Sequence, residues 1–364
     1  MKGNLEVNHV TKSDLKIALQ NNTYWKGNSV IPFTKSKAFW LLDNERIEEH
    51  DLCSVMVHEN DRLVAFVYLI ADWITTPSGM KKIYWCRRWW VADDYKSSIL
   101  STFVMKEAVS ATKQQILLKF LGKTVIEYFK NQPYVEFSHR TRYFIVSSLI
   151  TSWVLRRFKF LKVIKPIIQA IDMLSGRLIN YLNHKKIQKK VIPIQYEYLS
   201  TIDQTTWAFL QDKLKNDLIP KTKEYINWQL SSRQYTQTLV AHKFPHSCLI
   251  AGASTNMYIV NFNVVLSAKI IGFISVLIRT NEYQVKYFVA EEEYYDICVA
   301  ALIQNFHKTK TNTIYTEDNK LGKFILKNYH HIYVDKRSLY ALAHHEIDHD
   351  FSKEIIHDRD ANYA

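Results

Sequence analysis

Residues 83–111 read IYWCRRWWVADDYKSSILSTFVMKEAVSA, and a weaker form of the pattern returns at residues 282–308 as EYQVKYFVAEEEYYDICVAALIQNFHK. In the first stretch an aromatic and β-branched run, Ile83 to Val91, meets an acidic turn. A Lys96-Ser97-Ser98 segment follows, and then an amphipathic helix from about Ser97 to Thr112. A strand that feeds a helix through small residues aims backbone N–H groups and the positive helix end at one spot, which suits a phosphate. Its recurrence 199 residues further on, from Ile83 to Glu282, points to two similar domains and a phosphorylated donor such as a coenzyme A thioester.

The flanks repeat in the same order. Before the first stretch, Ser54–His58 and Arg62–Ala71 are β-rich runs parted by Glu59-Asn60-Asp61, a hairpin signal. After it come a buried strand at Gln115–Phe120, a helix at Gly122–Asn131 ending before Pro133, and a closing pair of strands at Val135–Ser138 and Arg142–Ser147. The second half offers strands at 257–266, 269–279 and 283–289, a helix at 295–307, a strand at 312–316, a helix at 320–328, and closing strands at 332–334 and 338–343. This order predicts an α+β protein of two tandem domains, residues 1–150 and 193–345, each a mixed central sheet flanked by helices. A basic helical segment, 151–192, joins them, and residues 346–364 form a polar tail.

Composition supports an ordered globular chain: 47% apolar and 13% aromatic residues, with eight glycines and seven prolines in 364. The net charge of +13 is local. Between Thr151 and Ile192 ten Lys or Arg face a single acid, Asp172, so that segment carries +9 of it. Within it Val154, Leu155, Phe158, Leu161 and Ile164 recur at helical spacing between Arg156, Arg157, Lys159, Lys162 and Lys165, and Pro166 restarts the helix. Three readings stand: a helical hairpin covering the seam between domains, a helix lying on an anionic membrane surface, or a nucleic-acid contact. Cys53, Cys86, Cys248 and Cys298 form no C-x-x-C pair, giving neither a disulfide framework nor a metal pattern, and a reducing compartment is expected. With no apolar core in Met1–Lys12 to make a signal peptide, the expected location is cytoplasmic, including peripheral association with the inner membrane face.

The WWV strand, the acidic-aromatic turn and the Lys-Ser-Ser junction resemble the GNAT superfamily of acyl-CoA-dependent N-acyltransferases. GKTVIEYFKNQPYVEFSHRTRYF and NKLGKFILKNYHHIYVDKRSLYAL resemble that family's fourth helix and closing hairpin, once in each half. The resemblance covers most of residues 1–150 and 193–345. It implies acetyl-CoA or another acyl-CoA as donor, no metal, and transfer of an acyl group to an amine or hydroxyl. Asp94-Tyr95 takes the place of the family's acidic-Tyr turn, Lys96 that of its Arg, and Ile99 and Ser101 those of its signature glycines. Glu293-Tyr294, Tyr295, Cys298 and Ala300 are the counterparts in the second half. Family glycines let the backbone close on a pyrophosphate, and Ile99 puts a branched side chain there. Lys96, Ser97, Ser98 and Ser101 are the donor contacts this implies. The thiolate-protonating Tyr of many members is replaced by Phe129 and, in the second half, by Leu326; Tyr128, beside Phe129, is the catalytic candidate, reaching the site if the helix register shifts.

Chemistry then asks for a polarising backbone N–H, expected near Trp90 or Val91, and a base, for which Asp72 and Glu136 are the carboxylates in reach. Arg140 and Arg142 alternate on one strand and share a face, which calls for an anion beside them: carboxylates of the chain, or a phosphate of donor or acceptor. With the basic segment, they point to a surface-glycan or lipid-linked sugar precursor as acceptor. Two alternatives share the architecture: a Fem-type transferase using aminoacyl-tRNA, and a binding protein whose donor loops have decayed. Finally, His345-Glu346-Ile347-Asp348-His349 matches H-E-x-x-H. It lies in the tail with no downstream Gly-x-x-His, so no metal site is expected from it.

Overall fold

The computed structural model describes residues 4–25, 30–188, 193–235, 247–250, 257–279, 281–309, 311–351 and 356–361. The last residues of the basic segment, 189–192, and part of the tail lie outside them. From the N-terminus the chain forms β1 (Leu5–Thr11), α1 (Lys12–Asn21), β2 (Val30–Phe33), α2 (Lys35–Leu42), β3 (Leu52–Glu59), β4 (Arg62–Thr76), β5 (Gly79–Val91), α3 (Leu100–Ala111), β6 (Ile116–Leu121), α4 (Lys123–Phe129) and β7 (Tyr134–Val146). It continues through α5 (Thr151–Arg157), α6 (Lys165–Gln188), β8 (Ile194–Leu199), α7 (Gln204–Leu214), α8 (Lys223–Gln229), β9 (Ser247–Ile250), β10 (Met257–Leu266), β11 (Lys269–Arg279) and β12 (Glu282–Ala290). The last elements are α9 (Tyr295–Lys308), β13 (Thr313–Thr316), α10 (Asn319–Asn328) and β14 (Tyr333–His344).

These elements gather into two compact bodies, one of residues 1–139, 214–255 and 339–364, the other of 140–213 and 256–338. Among the described residues the first body's main sheet runs β1-β3-β4-β5-β6-β14 and the second's runs β7-β13-β12-β11-β10-β8. Each is a mixed sheet: antiparallel except for one parallel pair, β5 with β6 and β12 with β13. Both parallel pairs are joined by a crossover helix, α3 or α9, as parallel pairing requires.

The closing strands depart from expectation. Where the sequence reads as a pair of strands in each half, there is one continuous strand, β7 or β14. The residues between the expected pairs, His139-Arg140-Thr141 and Asp335-Lys336-Arg337, hold no Gly, Pro or Asn that would turn the chain, so each strand runs on. In the first body Tyr340, Leu342 and Ala343 of β14 pair with Leu121, Leu118 and Leu117 of β6. In the other body Tyr143 to Val146 of β7 pair with Thr316 to Thr313 of β13. The bodies therefore differ in bounds from residues 1–150 and 193–345, because the closing strands are exchanged and α8 with its loops belongs to the first.

Cores follow from the strand patterns. β4 is buried along almost its whole length, and its two faces feed two clusters, one around Trp40, Phe66 and Trp85, the other around Val67, Val104 and Ile116. The second body packs α9 and α10 on Phe262, Ile274 and Tyr283. α9 lies so close to β11 that a Cβ on Gly272 would meet the Cys298 sulfur at 2.5 Å, which fixes glycine there.

Among the described residues His307 on α9 has no hydrogen-bond partner at either ring nitrogen. Burial, reinforced by His184, lowers its pKa to about 4. The unfolded chain, with an ordinary imidazole near 6.5, binds the proton first, so stability should fall as pH drops from about 6.5 to 4, by on the order of 3 kcal/mol. Denaturant midpoints of the parent and His307→Phe at pH 7 and pH 5 test this: the acid loss should shrink in the variant.

Candidate active site

The first body's site begins where two parallel strands part. β5 and β6 pair only from Tyr84–Cys86 with Ile116–Leu118. Beyond Cys86 the two strands separate, while β6 stays paired to β14 on its other edge, from Leu117 to Leu121.

A β-bulge sets what β5 presents to that opening. The Tyr84 N–H donates to the Gln115 carbonyl (2.7 Å), on the β6 side. Uninterrupted alternation would send the Ala92 N–H to the same side. Instead it donates to Val64 of β4 (2.8 Å), because Tyr68 pairs with Arg88 while Leu69 pairs with Cys86, leaving Arg87 as the extra residue. The phase change turns the N–H groups of Trp89 and Val91 toward the side that β6 has left. Of the two residues expected to supply this donor, Val91 has that orientation. The Trp90 N–H faces β4 by the same alternation, opposite Phe66.

Beyond Val91 a 3-10 turn, Asp93–Tyr95, leads into α3, whose N-cap Ile99 makes no side-chain cap. Ser98 is engaged locally, its hydroxyl donating to Tyr95 O (2.7 Å) and accepting from the Leu100 N–H (3.2 Å). Ser97 is exposed, and the Ser101 carbonyl accepts from the Trp89 indole N–H (3.1 Å). Among the described residues nothing caps the first-turn N–H groups beyond Leu100, the arrangement that favours an anion. Lys96 stands there in an exposed pair with Asp93 (2.7 Å), and Asp94 is held away by Arg62 (2.8 and 2.9 Å). An exposed pair of this kind is weak and yields readily to a stronger anion. The Ile99 side chain is 84% exposed and unpacked.

Tyr128 on α4 is 37% exposed and its ring lies 5.7 Å from that of Trp89, which brings it to the opening. Phe129, one residue on, turns into the core. A residue that sequence reasoning missed lies beside them. Tyr134, at the start of β7, packs edge-on to Phe129 (4.8 Å) and His344 (5.1 Å). Its buried hydroxyl has no hydrogen-bond partner among the described residues. Burial, then neighbouring Cys86 and Tyr128, raise its pKa far above the ordinary tyrosine value, so it stays protonated. Burial likewise pushes the Cys86 thiol up to about 12. No spacing marks Tyr134 in the sequence; only the fold places it against Cys86, the last β5 residue paired to β6.

The remaining expected residues lie elsewhere. Asp72 is fully buried on β4, opposite Ile83 and away from the opening. It accepts from Arg46 Nη1 (2.7 Å) and the Tyr225 hydroxyl (2.7 Å), so proton transfer through it would mean breaking a buried ion pair. Glu136 is exposed on β7. Arg140 and Arg142 belong to the second body and do share a face. The anion between them is the chain's own Glu317, which accepts from Arg140 Nη2 (2.5 Å), Arg142 Nε and Nη2 (2.9 and 2.6 Å) and the Tyr315 hydroxyl (2.6 Å).

Glu317 follows β13 just past the point where β12 and β13 part at Gln284–Tyr315, and the residue at the matching place in the first body is Lys119. That lysine is buried too, donating to the Asp360 carbonyl. Burial works against charge on the Asp360 carboxyl, but Lys221 (2.8 Å) and Lys119 outweigh it and hold the group below its usual range. The second body has the same bulge, at Lys286, and Glu291 N–H reaches Ile271 O (2.9 Å). Its helix start, however, is filled: Tyr295 packs between Phe288 and Phe324 (both 5.4 Å) where the first body has exposed Lys96.

His345-Glu346-Ile347-Asp348-His349 forms turns rather than a helix, with Ile347 in the core, so its two histidines do not share a helical face. Among the described residues no group of three or more His, Cys, Asp or Glu is placed to hold a metal ion.

No family model matches the sequence, and no curated protein matches it. Among solved structures the chain is similar to a GCN5-related N-acetyltransferase from Kribbella flavida (12% identity over 93% of this chain and 71% of that one, TM-score 0.46). A second from Anabaena variabilis ATCC 29413 gives 8% identity over 93% and 72%, TM-score 0.47. A conserved protein from Enterococcus faecalis V583 gives 10% over 94% and 73%, TM-score 0.49. The two acetyltransferases are of the class the sequence resembles. Identities this low supply no residue correspondence, so the site stands on its own geometry.

Proposed function

We propose that the first body is an acyltransferase centre that takes an acyl group, acetyl in the first instance, from a coenzyme A thioester to an amine or hydroxyl. The observation that carries this reading is the bulged, parted strand pair. It turns two backbone N–H groups, Trp89 and Val91, into an opening that leads to the uncapped start of α3. A pantetheine arm is an extended amide chain and can pair with such an edge while the pyrophosphate meets the helix N-terminus and Lys96.

In the reaction the acceptor nitrogen or oxygen bonds to the thioester carbon, and the carbonyl oxygen gathers charge against a β5 N–H. The C–S bond breaks and the sulfur leaves with the electron pair. The acceptor's proton passes to solvent. Tyr134, neutral and without another hydrogen-bond partner among the described residues, donates a hydrogen bond to the departing thiolate. Because its pKa lies above that of a thiol, it stabilises the anion rather than surrendering its proton outright.

For the acceptor we favour a surface-glycan or lipid-linked sugar precursor, on the strength of the basic segment. Thermal melts with acetyl-CoA and longer acyl-CoAs test the donor: at a hundred times Kd a ligand adds about 2.7 kcal/mol. Lys96→Glu should raise the concentration needed for the same shift. Melts that no acyl-CoA moves would remove the proposal, and an unchanged response in Lys96→Glu would remove Lys96 from it.

A further inference from the structure

The segment from Phe158 to Tyr181 has an unusual surface. Of the 22 large apolar side chains exposed among the described residues, ten lie in these two dozen positions. Phe160 and Val163, in the 3-10 turn between α5 and α6, are 75% and 89% exposed. Along α6, Ile167, Ile171, Leu174 and Leu178 follow at steps of four, three and four, so they form one exposed stripe. The helix is held by a different face, where Ile168 is buried and Asn183 exchanges hydrogen bonds with the His330 backbone (3.0 and 2.8 Å). The apolar stripe is therefore outside its packing.

Charge identifies the occupant. Arg156, Arg157, Lys159, Lys162 and Lys165 alternate with the exposed apolar residues, and the only acid of the segment, Asp172, is engaged by Thr151 (2.9 and 2.7 Å). A second copy would set the same positive charge against itself. A protein partner is a poor match as well, since lysine is depleted from the cores of protein interfaces. Interleaved cations and protruding apolar tips fit a headgroup boundary, where apolar groups enter the acyl region and lysine stems carry their charge to the phosphates. No helix among the described residues is long and apolar enough to cross a membrane, so the contact lies on the surface.

We propose that residues 158–181 seat the protein in the plane of an anionic lipid bilayer. This does not depend on the acyl-transfer reading. The experiment is cosedimentation of the full chain with vesicles of phosphatidylcholine alone or mixed with phosphatidylglycerol. Binding should require phosphatidylglycerol, weaken with salt, and fall roughly 25-fold in a Lys159→Gln, Lys162→Gln double variant, at roughly fivefold per cation. A Phe160→Ser, Val163→Ser, Ile167→Ser triple variant should lose it while remaining folded, since all three side chains are mostly exposed and Phe160 meets only the edge of exposed Phe158 (6.1 Å) among the described rings. Equal binding to both vesicle types, or to neither, overturns the proposal. So does concentration-dependent dimerisation that the triple variant abolishes, which assigns the face to a second copy. Binding of polyglutamate but not vesicles assigns it to an acidic protein and equally overturns it.

Discussion

A Tyr134→Phe variant should lose about a hundredfold in kcat, the lower range for removal of a positioned acid or donor, and yet melt no lower than the parent protein. The two halves of this expectation have one cause. The Tyr134 hydroxyl is buried without a hydrogen-bond partner among the described residues, and a buried polar group in that state costs about 1–3 kcal/mol. Removing the oxygen returns part of that cost, while the ring keeps its contacts with Phe129 and His344. A residue kept only for packing would give the stability gain without the loss of turnover. Free-thiol release from acetyl-CoA, read alongside a melt, separates the cases, and unchanged kcat would dismiss Tyr134 from the reaction. Tyr128→Phe is the companion: its exposed hydroxyl should matter less to either measurement.

The second large effect is on stability. Arg46→Ala should cost about 3–5 kcal/mol, because it removes the Arg46 ion pair from a fully buried carboxylate. Arg46 gives Asp72 its ion pair, lies over the Tyr225 ring at 3.5 Å and also reaches the Pro220 carbonyl (2.5 Å). Asp72→Asn keeps an acceptor for Tyr225, and should leave kcat near the parent value in the protein that remains folded. Denaturant unfolding measures the first; a pH–rate profile of Asp72→Asn measures the second. A collapse of kcat in Asp72→Asn without loss of fold would restore Asp72 as a base.

Much of the architecture is written in local periodicity. The alternation of β4 and β5, the turn after Val91 and the amphipathic α3 are each set by residues close in sequence, and so are their counterparts around α9. The closing strands are not, because VEFSHRTRYFIV and DKRSLYALAH carry similar patterns and nothing local states which β-edge each joins. The site divides the same way. Lys96 and Ser98 fall in the turn because the turn itself is local. Which β5 N–H groups face the opening depends on a bulge, and the bulge is visible only as a slip in register against β4, so residue order alone does not separate Trp90 from its neighbours Trp89 and Val91. Arg140 and Arg142 do face an anion, but Glu317 lies 177 and 175 positions away from them, a distance at which a single sequence offers no pairing signal.

The origin of β14 bears on how the molecule is made. The first body's sheet holds β6 from early in the chain, but the strand that pairs with its outer edge ends at His344. At about 5–20 residues per second, a ribosome needs roughly 11–45 s to travel from Leu121 to His344. Throughout that interval the nascent chain carries an unpaired apolar edge, the kind that invites pairing with a neighbour. A nascent chain released at residue 150 should therefore aggregate or be bound by chaperones, and the full chain should gain protease resistance in its first 139 residues only once translation has passed β14.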